Sequence, residues 1–259
     1  MGIVNVTPDS FSDGGQFLDP EAAVEHGLEL AAQGAAVLDV GGASTRPGAE
    51  PVPVADELRR AVPVVERLAQ AGQRVSIDTT KQEVAAAALD AGATLVNDVS
   101  AFRFAPEIAG LVADAGADCC LVHMRGEPRT MQAEARYGDV VAEVKEFLEE
   151  RLAVAVDAGI AEERVWLDPG IGFGKTVEHN LELLRRLDEI VAIGRPVVIG
   201  TSRKSFLGKL AGGRGEDERL PGTIATNVMA LERGACVFRV HDVRPVADAL
   251  AIAAATVGP

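Results

Sequence analysis

The chain has 259 residues and a net charge of −14, and 47% of its residues are hydrophobic but only 4% are aromatic. This length is enough for one large core, so we expect a single domain over residues 1–259. The negative charge argues against nucleic acid as a partner. No apolar run reaches about 18 residues, which argues against a membrane span, and residues 1–10 lack the basic and apolar segments of a signal peptide. The cysteines have no metal-ligand spacing, so we expect free thiols in a cytoplasmic protein.

Short β-branched runs alternate eight times with longer amphipathic stretches. Strands are predicted at residues 3–6, 36–40, 74–77, 94–97, 119–123, 165–167, 196–200 and 236–240. Helices are predicted at residues 20–33, 54–71, 81–90, 106–115, 139–158, 177–187, 220–232 and 243–255. The strands are almost continuously hydrophobic, as parallel strands buried on both faces are. Eight strand–helix units in about 250 residues predict an α/β fold of the (β/α)8 TIM barrel type, because a doubly wound sheet would show shorter, more polar edge strands.

Polar residues follow almost every predicted strand. In chain order they are Asn5, the loop 41–49, Asp78, Asn97 with Asp98, His123, Asp168, residues 202–205, and Arg239 with His241. Each position alone fits a helix cap, a satisfied core residue or a surface charge. The carboxyl ends of the strands in a TIM barrel meet at one rim, however, and active sites are built there. We therefore interpret the eight positions together as an active site.

These residues suit two kinds of ligand group. Two carboxylates, an amide and an ammonium can pair with the donors and acceptors of an aminopyrimidine-like ring; they belong to Asp78, Asn97, Asp168 and Lys204. The second set suits an anion, which we interpret as phosphate with Mg²⁺, an ion that keeps waters and phosphate oxygens and needs few protein ligands. That set is Asn5, Arg46, Arg239 and His241.

The segment from Asp168 to Lys175 contains three glycines, which allow backbone to approach a flat ligand closely. An acid at the end of a buried strand needs hydrogen-bond donors. The segment also has partial likeness to a dinucleotide-binding fingerprint and to a P-loop. We reject both interpretations, because no acid follows at the required strand and the first P-loop glycine is wrongly spaced.

Several strings of the chain resemble those of dihydropteroate synthases. They lie, in the family's order, at residues 1–15, 44–49, 76–79, 97–100, 123–132, 168–175, 202–208 and 239–243. The resemblance extends from residue 1 to about residue 255 and implies a (β/α)8 barrel that forms a homodimer. It implies a transferase of folate biosynthesis, which joins p-aminobenzoate to 6-hydroxymethyl-7,8-dihydropterin diphosphate and gives 7,8-dihydropteroate and diphosphate.

The same resemblance implies roles for individual residues. The pterin diphosphate would be bound by Thr45, Asp78, Asn97, Asp168, Lys204, Arg239 and His241. The p-aminobenzoate site and the mobile loops would contain Asp13, Arg46, Pro47, Phe173 and Ser205. Asn5 would bind Mg²⁺, and the catalytic residues would be Asp78, Lys204, Arg239 and His241. In the implied mechanism diphosphate leaves with the help of Mg²⁺ and nearby cations, and the neutral arylamine attacks the pterin methylene.

Two departures from the family pattern leave alternatives open. Ala43 stands where the family usually has Glu, which puts the anchoring of the second loop in doubt. The chain also begins on its first strand, so we expect a lid at the bottom of the barrel to be missing. One alternative is a barrel that passes a methyl group from methyltetrahydrofolate to a corrinoid, against which Arg239 and His241 count. Another is a divergent paralogue that binds pterin without catalysis, for which Ala43 is the only hint.

Overall fold

The computed structural model describes residues 1–7, 20–44, 49–127, 129–133 and 135–257, and its centre is a ring of parallel strands. The strands are β1 Gly2–Asn5, β2 Leu38–Gly41, β3 Val75–Asp78, β4 Leu95–Asp98, β5 Asp118–Val122, β6 Val165–Asp168, β7 Val198–Ile199 and β8 Val237–Phe238. β1 to β6 pair in chain order, and β7 pairs with β8. Two single bridges, Leu167 to Val197 and Gly2 to Val240, join these two sheets. The ring is thereby closed, which confirms the predicted (β/α)8 barrel.

Helices follow the strands around the ring. They are α1 Pro20–Ala32, α2 Val54–Gln70, α3 Gln82–Asp90, α4 Glu107–Ala115, α5 Val140–Asp157, α6 Val177–Arg185, α7 Leu187–Val191, α8 Ser205–Leu210, α9 Leu220–Glu232 and α10 Val243–Val257. Short 3₁₀ turns lie at Glu162–Arg164 and Glu216–Glu218. Within the described residues, no helix has both the length and the apolar character needed to cross a membrane.

The structure differs from the predicted elements in three places. The helix predicted at 177–187 ends at Arg185, and a separate helix, α7, begins two residues later. The short helix α8 begins directly after the polar residues 202–204 and was not predicted, since six residues are too few to show a helical period. β7 and β8 have two residues each instead of the predicted five, because their flanking residues contact the ring only through single bridges.

The inside of the barrel is apolar at one end and polar at the other. Alternate residues of a strand share one face, so Leu95 and Asn97 of β4 point the same way, as do Trp166 and Asp168 of β6. An apolar cluster contains Val37, Leu95, Val99, Cys120, Val122, Trp166 and Val198. Asn97 and Asp168 follow the cluster members Leu95 and Trp166 by two residues on the same face, at the carboxyl ends of their strands. The polar residues of the rim therefore stand on a packed apolar base.

Asp98 fixes the loop that follows β4. Ala101 and Phe102 have φ angles of 52° and 64°, values that residues with side chains rarely adopt. The fully buried carboxylate of Asp98 accepts hydrogen bonds from the backbone N–H groups of Ser100 at 2.6 Å and Phe102 at 2.9 Å. Because this buried loop comes directly after Asn97, the same contacts hold the end of β4 in place.

We expect Asp98→Ala to lower the free energy of unfolding by about 2–3 kcal/mol, because two buried N–H groups lose a charged acceptor. Urea denaturation checks this value. The exposed Asp114 of α4 supplies the control, and Asp114→Ala should change the free energy by less than about 0.5 kcal/mol. Equal stabilities of the two variants would show that Asp98 does not hold the loop.

Candidate active site

A buried ion-pair network connects three strands at the carboxyl end of the barrel. Arg239 follows β8, and its Nε donates to Oδ2 of Asp39 in β2 at 2.5 Å. One terminal nitrogen of Arg239 donates to Oδ2 of Asp78 in β3 at 2.7 Å. Asn97 of β4 donates from Nδ2 to the same Asp39 oxygen at 3.1 Å. The sequence assigned Asp78 and Asn97 to a heterocycle and Arg239 to an anion, and the structure joins these two sets in one network.

Burial makes part of this network ready to accept hydrogen bonds from a ligand. Burial raises the pKa of Asp78 to about 7, although Arg239 acts in the opposite direction, and the negative charge of Asp39 raises it further. Oδ1 of Asp78 and Oδ1 of Asn97 are both buried and have no hydrogen-bond partner among the described residues. Buried polar atoms are normally paired. Two acceptors at this position therefore fit the N–H groups of a bound ring.

Asp168 and Lys204 form the opposite wall of the site. Burial raises the pKa of Asp168, while Lys204 and the N–H of Gly170, 2.7 Å from Oδ1, favour the charged carboxylate. Burial lowers the pKa of Lys204 to about 8, and Asp168 opposes this shift. The Lys204 ammonium donates to the carbonyl of Ile171 and lies 4.6 Å from the centre of the Phe173 ring. A carboxylate, an ammonium and an aromatic ring thus lie together beside the glycine-rich loop.

Two glycines of this loop are required by its close contacts. Gly170 has a φ of 67°, and a Cβ there would lie 1.8 Å from the carbonyl oxygen of His123. Gly172 has a φ of 87°, and a Cβ there would lie 3.0 Å from Cδ of Lys204. No other residue has both the conformational freedom and the small volume that these positions need.

Lys175 lies behind the loop and does not face the ligand side. Its buried ammonium donates to the carbonyls of Gly170 at 3.0 Å and Phe173 at 3.1 Å, and it lies 2.8 Å from Nδ1 of His123. Burial lowers the pKa of Lys175 and that of His123 well below their ordinary values. Lys175 is therefore a structural residue of the loop, and Lys204 is the lysine that lies beside Asp168 and Phe173.

The β5–α5 connection also contacts the glycine-rich loop. Nε2 of Gln132 donates to the carbonyl of Gly172 at 2.8 Å, and the hydroxyl of Tyr137 donates to the carbonyl of Gly174 at 3.0 Å. Together with Lys175 and Lys204, these side chains hold every carbonyl from residue 170 to residue 174. The loop is consequently fixed before any ligand binds.

His241 is oriented by a neighbouring serine. Oγ of Ser202 lies 3.0 Å from Nδ1 of His241 and accepts a hydrogen bond from the His241 backbone N–H at 3.1 Å. The adjacent residues Arg203 and Asp242 form a bidentate ion pair with distances of 2.9 and 2.7 Å. The loops after β7 and β8 are thereby joined at the rim.

The remaining predicted site residues are less connected. Asn5 is partly buried at the end of β1, and Ser205 is exposed at the first turn of α8. Within the described residues, no hydrogen bond joins either of them to the groups above. Four residues lie outside the described part of the chain, and they are Asp13, Thr45, Arg46 and Pro47.

Comparison with known proteins identifies the family of the chain. The family described as pterin binding enzyme matches residues 1–241. The chain belongs to this family. It is 49% identical over 261 residues to the dihydropteroate synthase of Mycobacterium leprae, and the match covers 98% of the chain and 92% of that protein.

Solved structures lead to the same group of pterin-binding enzymes. The Xanthomonas albilineans dihydropteroate synthase with 4-aminobenzoic acid is 49% identical, with a TM-score of 0.93 and coverage of 100% of this chain and 92% of that one. The same enzyme in complex with 7,8-dihydropteroate is 46% identical, with a TM-score of 0.89 and coverage of 100% and 93%. Within its family the chain is therefore a dihydropteroate synthase, a transferase of folate biosynthesis, which confirms the expected function.

Sequence reasoning missed Asp39 among the residues of this pterin-binding enzyme. It lies inside a predicted strand of otherwise apolar residues, two positions before the polar loop 41–49. The sequence did contain a signal, because burying an unpaired acid in a strand costs free energy and Asp39 must therefore have a partner. Its partner could not be found, because Arg239 is 200 positions away along the chain.

We expect Lys175→Met to lower the free energy of unfolding by about 1–3 kcal/mol, because two buried carbonyls and a ring nitrogen lose their donor. Chemical denaturation measures the change. Lys209→Met is the matched control, since Lys209 is exposed on α8. If Lys175→Met were as stable as this control, the ammonium would not be holding the loop.

Proposed function

We propose that this chain performs the dihydropteroate synthase reaction with the rim residues in the roles that the resemblance implies. The substrates are 6-hydroxymethyl-7,8-dihydropterin diphosphate and p-aminobenzoate, and the products are 7,8-dihydropteroate and diphosphate. The observation that carries these roles is the network in which buried, unpaired oxygens of Asp78 and Asn97 lie beside the guanidinium of Arg239. Such a site offers acceptors for a ring and a cation for an anion within one pocket.

The pterin ring is recognised by the buried polar groups of the barrel end. The carboxylates of Asp78 and Asp168 accept hydrogen bonds from ring N–H and amino groups, and Asn97 offers its Oδ1. Lys204 donates to a ring carbonyl or nitrogen in place of the Ile171 carbonyl that it contacts in the structure. A ring that lacks these groups would leave several buried atoms unpaired, so this half of the site determines specificity.

The leaving diphosphate is stabilised by Arg239 and His241, which follow β8. Two N–H donors of Arg239 are occupied by Asp39 and Asp78, and its other donors bind no group among the described residues, so they can bind phosphate oxygens. His241 stands two residues further along the same loop, with Ser202 on its Nδ1. Cations positioned where negative charge develops lower the barrier for departure. Thr45 completes the binding of the pterin diphosphate in this proposal.

The arylamine needs positioning more than chemical activation. The C–O bond between the methylene and the diphosphate breaks, the amine nitrogen forms the new C–N bond, and the nitrogen then releases a proton to solvent. In this proposal Phe173 and Ser205 contact p-aminobenzoate, and Asp13, Arg46 and Pro47 take part in its binding. Correct alignment of the two reacting atoms is the main contribution of this half.

Mg²⁺ is the proposed cofactor, and Asn5 is its protein ligand. Among the described residues no group of three or more His, Cys, Asp or Glu side chains could hold a metal ion by itself. A single amide oxygen at the end of β1 fits an ion that arrives with the diphosphate and keeps several waters. When bound, Mg²⁺ supplies positive charge to the diphosphate oxygens.

Several broader properties remain proposals. A homodimer is supported by two exposed apolar side chains on helices that pack together, Met229 of α9 at 40% and Ile252 of α10 at 68% exposure. We propose a single domain over residues 1–259 and a cytoplasmic location. We also propose that small molecules are the substrates and that neither nucleic acid nor a membrane is a partner. Each of these statements comes from the sequence.

The decisive assay measures release of diphosphate and formation of 7,8-dihydropteroate with each substrate omitted in turn. We expect product only when the pterin diphosphate, p-aminobenzoate and Mg²⁺ are all present. Binding of the pterin diphosphate without any product would instead identify a non-catalytic pterin-binding paralogue. Transfer of a methyl group from methyltetrahydrofolate to a corrinoid would identify the other alternative.

We expect Asp168→Asn to weaken binding of the pterin diphosphate by about 1–3 kcal/mol, because a ring N–H would meet an amide nitrogen instead of a carboxylate oxygen. Isothermal titration calorimetry measures the affinity, and circular dichroism verifies the fold. The exposed Asp188 of α7 supplies the control variant Asp188→Asn, which should bind like the unmodified protein. Unchanged affinity in a folded Asp168→Asn protein would remove Asp168 from the pterin site.

A further inference from the structure

Asp39 is a fully buried acid that the roles above do not use. Its side chain is 0% exposed inside the barrel. A single oxygen, Oδ2, accepts hydrogen bonds from Nε of Arg239 at 2.5 Å and from Nδ2 of Asn97 at 3.1 Å. The other oxygen, Oδ1, has no hydrogen-bond partner among the described residues. One atom of Asp39 therefore contacts both a residue of the proposed anion site and a residue of the proposed pterin site.

The bond to Asn97 determines which end of its amide can meet a ligand. The amide nitrogen points to Asp39, so Oδ1 of Asn97 is left as the buried, unpaired acceptor described above. Without the carboxylate, the amide could rotate and present its N–H groups to the ring. The Asn97 amide can both donate and accept hydrogen bonds, and its contact with Asp39 leaves it as an acceptor for a ligand.

The bond to Arg239 determines how the guanidinium stands in the barrel. With Nε held by Asp39 on β2 and a terminal nitrogen held by Asp78 on β3, the planar group is fixed at two points. A planar, forked donor held in this way presents its remaining N–H groups in a defined direction.

We propose that Asp39 is a positioning residue of the reaction, which orients Arg239 toward the leaving diphosphate and Asn97 toward the pterin ring through one shared oxygen. The inference rests on the proposed roles of Arg239 and Asn97. It adds a residue that acts through these two neighbours.

Two substitutions separate the shared oxygen from the rest of the side chain. Asp39→Ala removes the acceptor, and we expect kcat to fall by about 100-fold, as misplacement of a catalytic group by about 1 Å does. Asp39→Asn keeps a carbonyl oxygen where Oδ2 stands and places its amide nitrogen at the unpaired Oδ1 position, so it should recover most of kcat. If Asp39→Asn were as slow as Asp39→Ala while folded, the shared-oxygen proposal would be overturned. Should the Ala variant not fold, Asp39→Thr, a residue that suits a strand but is too short to place oxygen there, replaces it.

Double variants test whether Asp39 acts through its neighbours. In an Arg239→Ala background, adding Asp39→Ala should lower kcat no further, and in an Asn97→Ala background it should weaken pterin binding no further. Independent, multiplying losses would contradict the proposal. If Arg239→Ala alone left kcat unchanged, the proposed function of Arg239 would be wrong. If Arg239→Ala lowered kcat while Asp39→Ala did not, only the role of Asp39 would be refuted.

Asp118 supplies a control for the loss of an acid that lies in a strand and pairs with arginine, although it is only partly buried. It begins β5 at the opposite end of the barrel, and its carboxylate pairs with Arg74 and, at 3.3 Å, with Arg164. Asp118→Ala should reduce stability without changing kcat or the KM of either substrate. A similar fall in kcat in this variant would show that the effect of Asp39→Ala reflects general destabilisation of the barrel, and the positioning role would be rejected.

Discussion

Burial of a guanidinium between two carboxylates, at the polar end of an otherwise apolar barrel, is the interaction on which the site depends. Arg239 reaches from β8 across to Asp39 in β2 and Asp78 in β3. Ions taken out of water are tolerated only when hydrogen bonds and opposite charges surround them. The packed apolar base beneath the network excludes water on one side, so the field of these charges acts mainly on whatever enters from the rim.

The fold was predictable because each strand and helix carries its own signal. Continuous apolar runs and amphipathic stretches gave all eight strands and the eight principal helices to within a few residues, and their order left few topologies. The exceptions are short elements. Ser205–Leu210 has only six residues, and β7 and β8 are held by so few backbone pairs that their predicted lengths were wrong. Such elements depend on tertiary contacts that no local pattern records.

The site was only partly predictable for a related reason. Active sites of TIM barrels lie at the carboxyl ends of the strands. This rule was enough to find Asp78, Asn97, Asp168 and Arg239. Asp39 lies inside a strand, and the ammonium of Lys175 donates to two carbonyls of its own loop, a contact that no sequence pattern indicates. Sequence reveals that an acid or a lysine is buried, but its partners come from distant parts of the chain. Family resemblance supplied the chemistry of the substrates, which residue types alone left as a ring and an anion.

The way in which the barrel is closed has a mechanical consequence. β1 to β6 form a continuous ladder, whereas the β7–β8 pair is joined to it on each side by one bridge, at Val197 and at Val240. Backbone amides along these two seams have the fewest partners to break before they open. The loops after β7 and β8 bear Lys204 and Arg239, so these two cations stand on the part of the barrel wall that is joined to the rest by single bridges. A bound pterin diphosphate that contacts both Lys204 and Arg239 would connect the two loops from inside the barrel, so it should slow amide hydrogen exchange along the seams.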